Sequence, residues 1–151
     1  MLTFKKLIVF AGISSTLFLA SCDKDDNNTV SASGSMTGDQ EVPVKVSTAS
    51  GTYSVSYNKD NKMLNYTINW TSLTGVPTGA HVHGPAAKGV NAGIKHDFFS
   101  AIPKTTSGSY SGSVTVDNST IKEDSLLAGF YYFNMHTPTN PGGEIRGQIV
   151  F

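Results

Sequence analysis

The chain has 151 residues, 11 basic and 11 acidic side chains, and a formal net charge of 0. This length allows one domain with a single hydrophobic core. The charge balance, with Arg146 as the one arginine, excludes the basic patch that nucleic-acid binding requires. Because Cys22 is the one cysteine, an internal disulfide is excluded as well.

The first residues are arranged like a secretory signal. Lys5 and Lys6 precede an apolar run over 7–18 that is too short to span a bilayer comfortably, and small residues follow at a cleavage point. The tetrapeptide Leu-Ala-Ser-Cys at 19–22 resembles a bacterial lipobox, after which the cysteine is the first mature residue and carries lipid. We therefore predict a lipoprotein signal peptide over 1–21 and acylation at Cys22. An ordinary signal peptide with an incidental cysteine is the alternative.

The segment that follows Cys22 is acidic, polar and small. It cannot bury enough apolar surface to order itself, so we predict a flexible tether over 22–35 and a folded domain over 36–151. The acidic residues also resemble the export tag of Bacteroidetes surface lipoproteins, although a solvated linker has the same composition. The expected location is the outer membrane or cell surface of a bacterium, or a periplasm-facing attachment. Acylated Cys22 would be the only contact with the lipid bilayer, since no second apolar stretch is long enough to span it.

The rest of the chain alternates with the period of two that is typical of β-strands. Segments 52–57 and 63–70 flank an Asn-Lys-Asp-Asn turn and predict a hairpin with one buried side. That side would carry Leu64, Tyr66, Ile68 and Trp70. Further strands are predicted within 33–37 and over 79–83, 94–98, 108–116, 129–136 and 144–151.

One helical segment is expected among these strands. Thr120 and Glu123 fit a capping box, and Gly129 can end the helix after two turns at most. About seven or eight short strands with one short helix predict an all-β fold, an antiparallel sandwich.

Two histidines have the spacing of metal ligands on a strand. His81 and His83 lie two residues apart, so both imidazoles would share a face, with their Cβ atoms about 7 Å apart. Two rings at that distance can converge on one metal ion. A hydrogen-bonded pair beside a loop is the structural alternative.

The last two predicted strands carry the other candidate residues. The expected core positions are Tyr131, Phe133 and Met135. Asn134 and His136 should lie on the opposite face, beside a Pro/Gly-rich loop. Glu144 and Arg146 share one face of the final strand, and we interpret them as a structural ion pair with cross-strand neighbours.

These segments, in this order, resemble the chordin-type (CHRD) domain family. The resemblance rests on Glu41-Val42-Pro43, Ala49-Ser50-Gly51-Thr52, the stretch 80–86, Gly89-Val90-Asn91 and the stretch 134–148. It implies an immunoglobulin-like β-sandwich or barrel with limited similarity to copper/zinc superoxide dismutases. The family has no settled biochemical function. Chordin itself is a secreted antagonist of growth factors, which implies binding rather than catalysis.

The dismutase similarity implies a metal site. Those enzymes hold copper with a His-x-His pair, a bridging histidine further along, and a late histidine before a Gly-rich turn and an arginine strand. Here His81, His83, His96 and His136 occur in that order, ahead of Arg146. His96 fits less well, because CHRD domains more often carry an apolar residue there. Imidazole suits copper and zinc, and only neutral imidazoles bind, so affinity should fall as pH drops through about 6.5.

Two functions therefore remain open. The first is a non-catalytic, membrane-anchored CHRD-domain lipoprotein that binds a protein or glycan ligand or has a structural role in the cell envelope. The second is a copper- or zinc-binding envelope metalloprotein with a superoxide-dismutase-like site. The lack of a nucleophile–base motif in the sequence favours the first, and no catalytic residue is assigned.

Overall fold

The computed structural model describes residues 28–151, so Cys22, the predicted signal peptide and the start of the predicted tether lie outside it. Eight strands form one antiparallel sheet in the order β5-β4-β7-β8-β1-β2-β3-β6. They are β1 Thr29–Thr37, β2 Ser50–Asn58, β3 Met63–Thr71, β4 Gly79–His83, β5 Ile94–Asp97, β6 Gly108–Thr115, β7 Tyr131–His136 and β8 Ile145–Ile149. One helix, α1, spans Glu123–Leu127, and single 3-10 turns occupy Gly38–Gln40 and Phe99–Ala101. The predicted all-β antiparallel fold is confirmed.

The β2–β3 hairpin forms as its sequence pattern predicts. Asn58 closes the turn, because its Oδ1 accepts hydrogen bonds from the backbone N–H groups of Asp60 and Asn61 at 2.9 and 3.0 Å. The predicted buried face is confirmed: Leu64, Tyr66, Ile68 and Trp70 are all buried. Trp70 also donates its indole N–H to the carbonyl of Thr105 at 2.9 Å.

Aromatic side chains close the sheet on itself. Tyr66 on β3 packs against Phe133 on β7, with ring centroids 5.4 Å apart, and against Phe98 beyond β5, at 5.3 Å. Phe98 in turn stacks on Tyr110 of the opposite edge strand, β6, at 5.9 Å. The two edges of the sheet therefore meet through side chains, and the core lies inside the curled sheet.

The two halves of the sheet differ in their outer faces. On β1, β2, β3 and β6 the outer face carries aligned hydroxyl and amide side chains, as in the row Ser31, Ser56, Asn65 and Ser113, and is largely open to solvent. By contrast, all five residues of β8 and all but the last residue of β7 are buried. Loops cover the outer face of β7 and β8, and the candidate site lies in this part of the sheet.

Two predictions, the end of the tether and the capping box, are wrong. The tether cannot extend to residue 35, because β1 begins at Thr29 and pairs with β2 over its whole length, from Thr29 opposite Asn58 to Thr37 opposite Ser50. Val30 and Ala32 pack against the core, which supplies the apolar burial that orders this stretch.

The capping box is also wrong. Lys122 is the residue before α1 and makes no side-chain cap. Instead, Asn118 Oδ1 accepts the N–H of Glu123 at 2.8 Å, while Glu123 bonds Lys62 at 2.8 Å. Gly129 does end the helix, in a left-handed conformation with φ of 79°. Among residues 28–151, no helix is both long and apolar enough to cross a membrane.

Candidate metal centre

Strand register brings three histidines together. On β4, Gly79 pairs with His136 of β7, and His81 pairs with Asn134. His81, His83 and His136 therefore lie on one face, as neighbours along β4 and diagonally across to β7. One ring nitrogen from each lies within 4.8 Å of the others. The closest pair is His81 Nδ1 and His136 Nε2, 3.0 Å apart.

Backbone carbonyls orient two of the three rings. His83 Nδ1 lies 2.9 Å from the carbonyl oxygen of Ala92, and His136 Nδ1 lies 3.0 Å from that of Pro141. A carbonyl oxygen only accepts, so in each neutral ring Nδ1 carries the proton and Nε2 keeps a free lone pair. His83 Nε2 is buried and has no hydrogen-bond partner within residues 28–151. His83 Nε2 is thus free for a metal ion, whereas His136 Nε2 lies in hydrogen-bond contact with His81 Nδ1.

His81 has a different second partner. Its Nε2 lies 3.7 Å from Asp97 Oδ1, a largely exposed carboxylate on β5. That distance is too long for a hydrogen bond. Because His136 Nε2 keeps its lone pair, the 3.0 Å contact between the two rings requires the proton of His81 on Nδ1, which donates to His136 Nε2. Movement of that proton to Nε2, on the side of Asp97, would free Nδ1 for a metal ion, and a carboxylate near the outer nitrogen of a ligand histidine favours that form. A metal ion bound at Nδ1 would replace the contact between His81 and His136.

The protein keeps these imidazoles neutral. Burial lowers the pKa of His81 to about 4, with the neighbouring His136 adding to the effect and Asp97 opposing it. Burial also lowers the pKa of His83 and of His136, against the hydrogen bonds to Ala92 and Pro141. The neutral ring is the form that binds metal, so the group is ready to coordinate at neutral pH.

Gly79 makes room for the two touching rings. A Cβ at this position would lie 2.7 Å from His81 Cε1 and 3.0 Å from His136 Cδ2, closer than such atoms normally approach. A side chain here would push both rings away from their present positions. Sequence reasoning missed this role, which depends on the pairing of Gly79 with His136.

The structure does not bring His96 into this group. His96 pairs with Val82, the residue between His81 and His83, so it points to the other side of the sheet. Its Nε2 lies 2.9 Å from the hydroxyl of Tyr66 in the aromatic core. Its predicted role as a bridging ligand is therefore wrong, because the strand period sets it on the opposite face.

The match to a protein family covers the strands and loops described above. The CHRD domain model matches residues 32–149, nearly all of the described chain. The chain belongs to the CHRD domain family. No match was found among curated proteins or among solved structures.

Glu144 of this CHRD domain is buried but is not part of an ion pair. Its carboxylate accepts hydrogen bonds from Ser47 Oγ at 2.7 Å, Thr137 Oγ1 at 2.7 Å, and Thr74 through Oγ1 at 2.9 Å and N–H at 3.0 Å. Burial alone would raise the pKa of Glu144, but these hydrogen bonds outweigh it and hold the pKa below its usual value. The carboxylate ties two loops to the start of β8.

Arg146 lies flat on an aromatic ring instead of facing a carboxylate. Its guanidinium carbon is 3.4 Å from the centroid of Tyr132, and its NH groups bond the carbonyl of Val90 at 2.9 Å and Asn91 Oδ1 at 3.3 Å. Neither Arg146 nor Glu144 has an oppositely charged partner within 4.0 Å in the described part of the chain. The predicted ion pair is therefore wrong. Arg146 fastens the loop over 84–93 onto the sheet.

The sequence did not indicate that Glu41 would contact Asn134 on β7. Glu41 is 4% exposed, and its Oε2 accepts a hydrogen bond from Asn134 Nδ2 at 3.2 Å. Only its place in the Glu41-Val42-Pro43 motif could have drawn attention to it. No local pattern predicts that a glutamate in a loop will be buried against β7.

Proposed function

We propose that this CHRD domain belongs to a lipid-anchored protein of the bacterial envelope and binds one copper or zinc ion through His81, His83 and His136. The observation that supports it is the set of three neutral imidazoles with donor nitrogens within 4.8 Å of one another. In a purely structural role, each buried ring nitrogen would have a hydrogen-bond partner. His83 Nε2 is buried without a partner in the described chain, which favours a metal ligand.

The dimensions suit an ion of this kind. With metal–nitrogen distances of about 2.0–2.1 Å, ligand nitrogens on one tetrahedral ion lie about 3.4 Å apart. The present separations run from 3.0 Å to at most 4.8 Å. Small side-chain rotations of His81 and His83 would close the difference. Imidazole is a good ligand for copper and for zinc, and three protein ligands leave a fourth position open.

The role of the domain in this proposal is binding, and catalysis is a second candidate. A copper ion with an open position could support dismutase-like redox chemistry. Against this, Arg146 packs on Tyr132 beneath the 84–93 loop and His96 faces the core. Neither Arg146 nor His96 therefore has the role at the metal site that the dismutase resemblance implies.

Metal titration tests the proposal directly. The full chain, purified without a polyhistidine tag, is titrated with Cu(II) or Zn(II) at neutral pH beside His81→Ala, His83→Ala and His136→Ala. His96→Ala is the matched control, because it removes an imidazole outside the group. We expect each of the three variants to lose at least about 100-fold in affinity, more than the usual effect of an outer-shell residue. The control should bind like the wild type.

A further pair of variants tests the positions of the imidazole rings without changing the number of histidines. Gly79→Ala keeps all three histidines but displaces two of the rings, whereas Gly93→Ala adds a Cβ that meets nothing within 4 Å. Affinity should fall in the first and stay unchanged in the second. Equal metal binding by the wild type and the His81→Ala or His136→Ala variant would refute the site, and superoxide consumption by the copper-loaded protein would favour the second candidate function.

A further inference from the structure

Two buried oxygen atoms of neighbouring side chains, one on Glu41 and one on Asn134, lack a hydrogen-bond partner within residues 28–151. Asn134 Nδ2 donates to Glu41 Oε2 at 3.2 Å, but Glu41 Oε1 and Asn134 Oδ1 have no hydrogen-bond partner within residues 28–151. Both residues are 4% exposed. An ionised carboxylate and an amide oxygen are both acceptors only, so this arrangement buries two unsatisfied groups, which is costly.

Both orphaned atoms lie against the backbone of Gly143. A Cβ on Gly143 would lie 2.6 Å from Glu41 Oε1 and from Asn134 Nδ2, and 2.7 Å from Asn134 Oδ1, so both oxygens line the same small space. Gly143 also has φ of 125°, where a side chain would be strained. A carboxylic acid facing a carboxamide forms two parallel hydrogen bonds, and the bond from Asn134 Nδ2 to Glu41 Oε2 is one of them. A proton on Oε1 would supply the other.

We propose that Glu41 is a neutral carboxylic acid in the folded domain and is joined to Asn134 by two parallel hydrogen bonds. Loss of its proton then releases the segment 38–47 from the sheet. The proton fills the gap between the two orphaned oxygens and leaves neither unsatisfied. Ionisation removes the only donor between them and sets a charged acceptor against the amide oxygen.

The surroundings of Glu41 favour the neutral form. Burial raises its pKa to about 7, although the charges of Arg146 on β8 and of Lys45 on the same segment, the hydrogen bond from Asn134 on β7 and the backbone N–H of Val42 oppose the rise. Glu144 is the opposite case, since its four hydrogen-bond donors hold its pKa low. The pKa values of two buried glutamates next to the same strand are thus shifted in opposite directions.

The segment that Glu41 fastens also holds the neighbouring loop. The carbonyl of Val42 accepts a hydrogen bond from Asn91 Nδ2 at 2.8 Å, and Asn91 Oδ1 accepts one from Arg146 at 3.3 Å. Release of Glu41 would therefore loosen the cover over Arg146 as well. The segment would thus respond to pH near neutrality, in a domain that we propose to be anchored in the bacterial envelope.

The sign of the pH effect follows from linkage. The pKa of Glu41 is higher in the folded domain, about 7, than the ordinary value of 4.5 that applies once unfolded. Folding thus takes up a proton between these values. The stabilising effect is complete below about pH 4.5, declines as pH rises, and is lost above about pH 7.

Substitution by the neutral isostere tests the proposal. In Glu41→Gln the new amide can accept from Asn134 Nδ2 and donate to Asn134 Oδ1 at every pH. The denaturant midpoint of the full chain is measured from about pH 5 to pH 8 for this variant, the wild type and the matched control Glu144→Gln. Because the wild type loses this stabilisation between about pH 4.5 and pH 7, the midpoint curves for Glu41→Gln and wild type should separate as pH rises and run parallel above about pH 7. Glu144→Gln should be less stable at every pH, because its donors lose an acceptor.

Spectroscopy on the wild type keeps the proposal falsifiable even if a variant folds poorly. The infrared carbonyl band of a protonated carboxylic acid should persist at pH 6, vanish in Glu41→Gln and remain in Glu144→Gln. Hydrogen exchange of amides in 38–47, corrected for its intrinsic pH dependence, should accelerate from pH 6 to pH 8 in the wild type only. Midpoint curves that stay parallel from about pH 5 to pH 8, or a Glu41 carboxyl that titrates in the ordinary glutamate range by carbon NMR, would overturn it. These readouts need no metal, so they are independent of the proposed histidine site.

Discussion

His83 and His136 each donate a hydrogen bond from Nδ1–H to a backbone carbonyl, of Ala92 and of Pro141, so Nε2 keeps its lone pair. His83 Nε2 has no partner within residues 28–151, His136 Nε2 accepts from His81 Nδ1, and His96 Nε2 contacts the hydroxyl of Tyr66 in the core. At the scale of single residues, the second partner of each imidazole therefore decides which nitrogen is available for metal. Residue type alone does not distinguish these histidines.

The pH dependence of metal binding is a prediction at this scale. An unperturbed histidine would lose metal as pH falls through about 6.5. Burial lowers the pKa of all three rings, and that of His81 to about 4, so they stay neutral to lower pH. Metal affinity, measured by titration at a series of pH values, should persist below pH 6.5 and be lost as pH approaches 4. His96→Ala should leave the curve unchanged, and a midpoint at 6.5 would contradict the burial of the site.

At the scale of elements, inward aromatic side chains lie over cross-strand glycines. Tyr53 on β2 pairs with Gly34, Tyr66 on β3 with Gly112, and Trp70 on β3 with Gly108. In each pair, a Cβ on the glycine would lie within 2.7 Å of the aromatic ring or its hydroxyl. The glycines thus leave space for large side chains in a narrow curled sheet, and the aromatic rings cover the backbone that the glycines expose.

Removal of one of these rings should be costly. Trp70 is 3% exposed and donates its indole N–H to Thr105. Trp70→Ala should lower the free energy of unfolding by about 3–5 kcal/mol, the usual range for a packed aromatic residue. Asn69→Ala, on the exposed face of the same strand, is the control and should change stability by less than about 0.5 kcal/mol. A loss below about 1 kcal/mol for Trp70→Ala in denaturant unfolding would show that the ring is peripheral to the core.

At the scale of the whole molecule, the lipid anchor remains a prediction, since Cys22 lies outside the described residues 28–151. Cys22→Ser removes the acyl acceptor, so this variant should stay uncleaved or become soluble and take up no labelled palmitate. Membrane fractionation beside the wild type measures this, and His96→Ala serves as a control with the signal intact. Normal palmitate uptake together with complete membrane partitioning of the variant would refute the lipoprotein interpretation.

Local sequence patterns were enough to predict the strands, the hairpin, the buried face of β3 and the shared face of His81 and His83. These features depend on a period of two along single strands, which adjacent residues record directly. The errors of the sequence-based predictions also have local causes. Val30 and Ala32 gave too weak an apolar signal to extend β1 to Thr29, and Thr120 fits a cap that Asn118 supplies instead.

The cover over the outer face of β7 and β8 depends on tertiary contacts that the sequence patterns do not contain. Loops that are distant in sequence bury Glu41, Asn134, Glu144 and Arg146, and turn an expected ion pair into two separate polar clusters. Register between β4 and β7 brings His136 to His81, and register between β4 and β5 turns His96 away. Burial, pairing and protonation state depend on contacts between residues far apart in the chain, and no local pattern contains them.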